Sequence, residues 1–221
     1  MRAVREGYTE HMRWKPLKVT AQGVAEDVRR LGVLPEDTEA AFIEREGDPE
    51  RAERMIDELL ARDPRHVLAH LCKGVILSER QEYIEALPYV RYVTEQTPLI
   101  YRAWHVRGLG ELLHGEPAEA RSSFMHYVTF ATADPTGYCY IALTYAREEN
   151  AEAALRFLDQ VTEAGVVSDL SALTYTRALI EEQAGDLQSA LMHFIEIQMT
   201  APDTLGKHAS RKAHEIASHQ G

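Results

Sequence analysis

Five alanines stand along this chain at a nearly fixed spacing: Ala52, Ala86, Ala120, Ala154 and Ala190. The first three intervals are 34 residues and the last is 36. Pro64 and Pro98 keep the same interval of 34. A fixed period of this length is typical of stacked helix pairs, each too small to bury its apolar face alone.

The periodic alanines define a register in which each of them occupies position 20 of a repeat. Position 8 is then also small in every repeat: Ala40, Gly74, Gly108, Ala142 and Ala178. Positions 24 and 27 are large and mostly apolar: Ile56, Val90, Phe124, Leu158 and Phe194, then Leu59, Val93, Tyr127, Val161 and Ile197. Small residues allow two antiparallel helices to approach closely, and the large ones fill the layer between neighbouring hairpins.

The turns follow the same period. Gly47-Asp48-Pro49 offers a glycine to end one helix, then an N-cap and a proline to begin the next. Variants of it occur at 115–117 and 185–187, and weaker ones at 81–83 and 149–151. A longer turn at 165–170 accounts for the two extra residues before the fifth repeat.

These positions and turns resemble the tetratricopeptide repeat family over residues 33 to 204. The resemblance implies an all-α fold, a right-handed solenoid of about five helix hairpins. The repeats would span 33–66, 67–100, 101–134, 135–170 and 171–204. We expect a basic arm with a short helix at 20–31 to precede them within 1–32, and a capping helix to close the solenoid within 205–221.

Charge and cysteine content limit the possible environments. The net charge of -11 argues against nucleic acid or an anionic membrane as a partner. No stretch approaches the ~18 apolar residues that a membrane span needs. Cys72 and Cys139 are the chain's two cysteines, too few for a disulfide framework, and the N-terminus lacks the apolar stretch of a signal peptide. We therefore predict a cytoplasmic protein.

No catalytic motif is present in the sequence, and we predict a protein that is not an enzyme and uses no cofactor. His66 and His70 are four residues apart, a spacing that can bind a metal, but a third ligand is not evident. Glu148-Glu149 and Glu181-Glu182 are adjacent on helices, where side chains diverge by about 100° and do not form an acid/base pair. Solvated helix faces explain both.

The resemblance implies that the first helix of each repeat lines a concave groove that binds a protein segment. Carried onto this sequence, the predicted partner-binding residues are Leu68, Leu71, Val75, Arg102, His105, Leu109, Leu112, Cys139, Leu143, Tyr175, Leu179 and Glu182. We expect Leu109 and Leu143 to face outward from the packed layer. Some relatives bind carboxylate tails of chaperones, but the corresponding positions here are Asp37, Ala41, Cys72, Arg102 and Val106, so an apolar ligand suits this groove better.

Residues 1–30 form a region of opposite charge to the rest. They hold seven basic and four acidic residues, a net +3, which leaves -14 for the remainder. Trp14, Leu17 and Val19 lie in this arm, and Pro16 favours an extended backbone. The arm is a disordered leader, a loop packed beside the first helix, or an extended segment that docks in a groove of its own chain or of a neighbour. The alternative function is therefore self-association, with the arm or a terminal helix in the groove of another copy.

Overall fold

The computed structural model describes residues 48–201 and 204–219, which fall into two compact units that meet in sequence between Phe130 and Ala131. The described residues form ten helices and no strand. The first unit contains α1 (Pro49–Arg62), α2 (Val67–Glu79), α3 (Tyr83–Gln96), α4 (Tyr101–His114) and α5 (Pro117–Phe130). The second contains α6 (Pro135–Arg147), α7 (Ala151–Ala164), α8 (Ser171–Ala184), α9 (Leu187–Thr200) and α10 (Thr204–His219). This is the all-α helical repeat that the period predicts.

Each helix of the first unit packs against the next in sequence, and α2 also contacts α4. The small residues lie where two helices come closest. A Cβ added to Gly74 would lie 2.6 Å from Val90 Cγ1, and one added to Gly108 would lie 2.8 Å from the ring of Phe124. Position 8 is therefore small because position 24 of the same hairpin fills the space above it.

The second unit repeats this packing and adds a closing helix. Its core includes Ala178, Ala190, Phe194 and Ile197 from the hairpin of α8 and α9, all at 0% exposure. Four apolar residues of α10 complete the same cluster: Leu205, Ala209, Ala213 and Ile216. The predicted final helix is thus α10, whose apolar side covers the last hairpin of its own chain. The predicted helix at 20–31 lies outside the described residues.

Helix starts in both units are capped as the turn sequences indicate. Asp48, Asn150 and Asp186 each accept a hydrogen bond from the backbone N–H three residues on, at 2.9 to 3.1 Å. Gly115, Gly165 and Gly185 end their helices with positive φ. In the two turns that join the helices of one hairpin without a glycine, at 81–83 and 149–151, Gln81 and Glu149 adopt positive φ of 63° and 60°. The same turn shape is therefore kept where the favoured residue is missing.

In three repeats, the first helix is also joined to the turn that precedes it by a ring at position 4. Trp104 Nε1 donates to the Pro98 carbonyl at 2.8 Å, and Tyr138 Oη donates to the Thr132 carbonyl at 3.0 Å. His70 Nε2 lies 2.9 Å from the Pro64 carbonyl. Each ring reaches back six residues to the preceding turn. The fifth repeat has Thr174 at this position, which follows the longer turn at 165–170.

Candidate functional site

In the first unit, the predicted groove residues belong mostly to the interior. Leu71 and Val75 of α2 are 1% exposed, and Leu109 of α4 is 2% exposed. Leu112 and His105 of α4 are also buried, and the His105 ring lies 5.0 Å from that of Tyr127. The accessible members of the set here are Leu68 and Arg102, which are half-buried.

In the second unit, Cys139 and Leu143 of α6 are buried in the same way. Tyr175 of α8 is buried too, because it packs edge-on against Phe194 at 5.6 Å and belongs to the core that α10 completes. Leu179 and Glu182 are half-buried, and Glu182 accepts a hydrogen bond from Lys212 Nζ of α10 at 3.1 Å. The closing helix therefore occupies part of the surface that the sequence offered as groove.

The expectation that Leu109 and Leu143 face outward is wrong. A first helix contacts the second helix of its own hairpin and the helices of neighbouring hairpins, and both leucines lie in the resulting interior, at 2% and 3% exposure. Tyr175 is likewise a core residue and not an exposed anchor. The sequence register identifies the correct helices, but it does not show how deeply each side chain is covered.

What the first unit does expose is an aromatic and cationic surface at the start of α4. Tyr101, Arg102 and Trp104 are each half-buried. The Arg102 guanidinium stands 4.9 Å from the centre of the Tyr101 ring. Trp104 stacks on His126 at 4.2 Å, with the Arg107 guanidinium 5.0 Å from its ring centre. Trp, Tyr and Arg are the side chains most enriched at interaction hot spots.

Sequence reasoning missed a buried polar network between α3, α4 and α5. Glu111 is 0% exposed. Its carboxylate accepts hydrogen bonds from Ser123 Oγ at 2.6 Å and Arg107 Nε at 2.8 Å, and Arg91 Nε lies 3.4 Å away. Arg107 also donates to Thr94 Oγ1 at 2.9 Å. A glutamate between Gly110 and Leu112 at position 11 of the repeat, with a serine at position 23, was the available signal.

The histidines and cysteines singled out by the sequence have structural surroundings. His66 caps α2, where its Nδ1 accepts from the Ala69 N–H at 3.2 Å, and His70 contacts the preceding turn. Among the described residues, no group of three potential ligands could hold a metal ion. Burial raises the pKa of the Cys139 thiol to about 12, so this side chain is not a thiolate near neutral pH.

The positions of a carboxylate clamp are unsuited to that role where the structure describes them. Cys72 and Val106 are buried, at 2% and 1% exposure, and neither offers a cationic donor. Arg102 alone of these described positions carries a charge on a partly exposed side chain. Asp37, Ala41 and the arm residues Trp14, Leu17 and Val19 lie outside the described residues.

The described helices include none that is both long enough and apolar enough to cross a membrane.

Comparison with known proteins points to one repeat family. The model of the tetratricopeptide repeat matches residues 44–98. No curated protein matches the sequence. Among solved structures, residues 41 to the end of MamA from Desulfovibrio magneticus RS-1 are 17% identical with a TM-score of 0.62, covering 78% of this chain and 99% of that one.

Two further solved structures with a similar fold are those of PilW and PilF. PilW, described as a widely conserved type IV pilus biogenesis factor, is 18% identical with a TM-score of 0.59, covering 83% of this chain and 90% of its own. PilF of Pseudomonas aeruginosa is 18% identical with a TM-score of 0.55, covering 83% and 80%. At these identities the likeness establishes the fold alone.

Proposed function

The chain belongs to the tetratricopeptide repeat family, and we propose that it is a non-catalytic scaffold that binds a peptide, a helix or another protein segment on the first helices of its repeats. The observation that carries the proposal is the accessible surface at the start of α4, with Tyr101, Arg102 and Trp104 half-buried. We expect the half-buried Leu68 of α2 to extend this surface, because α2 and α4 contact each other and Leu68 has the same repeat position as Arg102. Interaction of this fold with proteins is typical of the family, but the site has to be argued from the residues.

The chemistry of this surface favours an apolar or aromatic segment over a carboxylate tail. Tyr101 and Trp104 offer ring faces that bury large areas on contact. Arg102 and Arg107 already stand over those rings, so their charges support stacking, and Arg102 can supply rim hydrogen bonds. Leu179 and Glu182 provide a smaller accessible surface on α8. The buried residues of the predicted set act by holding these helices in place.

A peptide-display selection against the full chain tests this proposal. We expect selected peptides to lose at least about tenfold in affinity when Leu68→Glu and Arg102→Glu are combined, since about 1.4 kcal/mol is a factor of ten. Glu119→Arg on α5 is the matched control, because Glu119 is exposed on a second helix. Isothermal titration calorimetry measures the three affinities. Equal binding by the double variant and the wild type would refute the proposed surface.

The same peptides test the preference against carboxylate tails. Each is synthesised with a free and an amidated C-terminus, and the two forms are titrated in parallel. We expect affinities within about twofold, because charge-assisted bonds to a terminal carboxylate would be worth considerably more than that ratio. Binding that vanishes on amidation contradicts an apolar ligand.

Self-association through the N-terminal arm is the second candidate, because the arm carries +3 and the rest of the chain -14. The final helix is already packed on its own chain, which favours the arm over this helix as the segment that docks in the groove of another copy. Removing residues 1–19 should then lower the solution mass or the melting temperature. If neither changes, the arm has no such role.

The compartment and the excluded partners complete the proposal. We place the protein in the cytoplasm, which fits Cys72 and Cys139 as buried thiols that are not joined in a disulfide. Nucleic acid is not proposed as a partner because of the negative net charge.

A further inference from the structure

Helix α9 exposes a stripe of three large apolar side chains. Met192, Ile195 and Met199 are 57%, 44% and 79% exposed. They are three and four residues apart, so they share one face of the helix. The opposite face holds Phe194 and Ile197 in the core at 0% exposure. A helix that is apolar on both faces is typical of a helix with packing partners on both sides.

The repeat itself does not require apolar residues on this face. Positions 22, 25 and 29 of the fourth repeat, on α7, hold Arg156, Asp159 and Glu163, and all three are exposed. The fifth repeat has Met192, Ile195 and Met199 at the same positions. Two helices with the same place in their hairpins therefore differ in the chemistry of their outer faces. Core packing explains neither set, so the apolar set on α9 needs another explanation.

We propose that this stripe is the contact face for a second copy of the same chain. Methionine is flexible and polarisable, which suits a surface that must fit another protein. Ile195 is the central member of the stripe. The proposal goes beyond the binding surface on the first helices, because α9 is a second helix of its hairpin.

Charge complementarity argues for a second copy as the occupant. The acidic helix α7 carries Glu152, Asp159 and Glu163 against Arg156, a net charge of -2. The basic helix α10 carries Lys207, Arg211 and Lys212 against Glu215, a net charge of +2. Glu152 pairs with Arg156, Asp159 with Arg177 and Lys212 with Glu182 within the chain. The complementarity that one unit offers a second copy is therefore carried mainly by the exposed Glu163 and Lys207. With α9 packed on α9 about a twofold axis parallel to it, we expect α7 of one copy to lie on the side of α10 of the other.

The order of the charges along these helices agrees with that pairing. In a stack of antiparallel helix pairs, we expect α7 to run parallel to α9 and α10 to run antiparallel to it. The end of α7, with the exposed Glu163, is then level with the start of α10, with the exposed Lys207. Glu163 of one copy and Lys207 of the other would meet with opposite charges.

A membrane surface fits the stripe less well. Helix α9 contains no lysine or arginine, and Glu196 is exposed beside the stripe. Interfacial helices that bind anionic lipid are rich in basic residues on the polar side. The missing cations on α9 favour a protein occupant.

Sedimentation velocity of the full chain across a concentration series tests the proposal. We expect the wild type to reach twice the chain mass of 25.0 kDa. The variant Met192→Arg, Ile195→Asp, Met199→Glu gives α9 the outer residues of α7, and it should raise the dissociation constant at least about 100-fold. A wild type that stays a monomer at several hundred micromolar overturns the inference.

A matched control places the same three residues at the same repeat positions elsewhere. Ser122→Arg, Met125→Asp and Thr129→Glu change exposed positions of α5. This control should dimerise as the wild type does, with circular dichroism showing unchanged helix content. Equal weakening by the control would show that charge anywhere on the chain dissolves the dimer, which contradicts a specific face.

Two further variants keep the result decisive. Met199→Glu alone alters a side chain that is 79% exposed, so it tests the face even if the triple variant fails to fold. Glu163→Lys should weaken the dimer, and adding Lys207→Glu should restore it. An unaffected dimer with Met199→Glu, or no restoration by the second charge reversal, refutes the contact or its orientation.

Discussion

The hairpins α4–α5 and α6–α7 share one plan but differ in what lies at the contact of their two helices. Positions 11 and 23 of the repeat meet in both. In α4–α5 they are Glu111 and Ser123, joined by a hydrogen bond of 2.6 Å. In α6–α7 they are Tyr145 and Phe157, with ring centres 6.2 Å apart. The repeat therefore fixes which positions meet, and each hairpin satisfies that contact with its own chemistry.

The polar version needs help that the aromatic version does not. Two aromatic rings in tilted contact fit an apolar layer through their ring faces and edges. A buried carboxylate must be paired and hydrogen-bonded to offset its desolvation. Arg107 and Arg91 supply the positive charges that pair with the Glu111 carboxylate, and Arg91 also pairs with Glu116. The network thus ties α3 to the α4–α5 hairpin.

The largest effect we expect is from removing the buried carboxylate. Glu111→Ala should destabilise the protein by about 3–5 kcal/mol, because it leaves two guanidinium groups without their buried partner. Equilibrium unfolding in urea measures the loss. Glu111→Gln is the control, since it keeps the size and an acceptor for Ser123 while removing the charge, and it should cost less. A loss below 1 kcal/mol for the alanine variant would mean that the network adds little.

The same two hairpins differ at their closest approach, which gives the second prediction. Gly108 of α4 lies where a Cβ would come within 2.8 Å of Phe124, a side chain at 0% exposure. Gly108→Ala should destabilise by about 1–2 kcal/mol, because overpacking costs more than the helix propensity gained. Ala142 has the same position in α6. Thermal unfolding compares Gly108→Ala with Ala142→Gly, and a raised midpoint for the former would show that Phe124 has room to move.

In a third hairpin, α8–α9, the contact between positions 11 and 23 is polar but less buried than in α4–α5. Glu181 is 6% exposed and its Oε2 lies 2.7 Å from Nδ1 of His193, which is itself 27% exposed in its side chain. Glu181→Ala should cost about 1 kcal/mol, less than Glu111→Ala, because His193 can turn to water when its partner is removed. The same urea titration ranks the two variants. The reverse order would contradict burial as the cause.

The sequence predicted most of the packing contacts that recur in every repeat and few of the contacts that occur in a single hairpin. Position 8 could be read from one chain because each hairpin imposes the same close approach, as Gly74 and Gly108 show. The Glu111 network could not be predicted in this way, because its members come from three helices and a single glutamate in the sequence resembles any surface charge. The groove was only partly predicted. Leu109 and Tyr175 lie on the expected helices, but the depth of burial depends on neighbours and on α10.

The hairpins α4–α5 and α6–α7 also differ in the turn that joins their two helices, and this difference has the smallest expected effect on stability. The α4–α5 turn contains Gly115 at φ 95°, and the α6–α7 turn places Glu149 at φ 60°. A residue with a Cβ costs roughly 1 kcal/mol in this region, whereas glycine adopts it readily. Glu149 is exposed, and its backbone N–H already donates to the Ala146 carbonyl at 3.0 Å, which glycine would preserve.

Glu149→Gly should therefore stabilise the protein by about 0.5 kcal/mol, since glycine's greater freedom in the unfolded chain offsets part of the relieved strain. Gly115→Ala should destabilise the protein, because it places a residue with a Cβ at positive φ. Differential scanning calorimetry should show the midpoint rising by about 1–2 °C for the first variant and falling for the second. If Glu149→Gly lowers the midpoint, the glutamate side chain stabilises its turn by more than the backbone strain costs, and the two hairpins differ in their turns for a reason other than missing glycine.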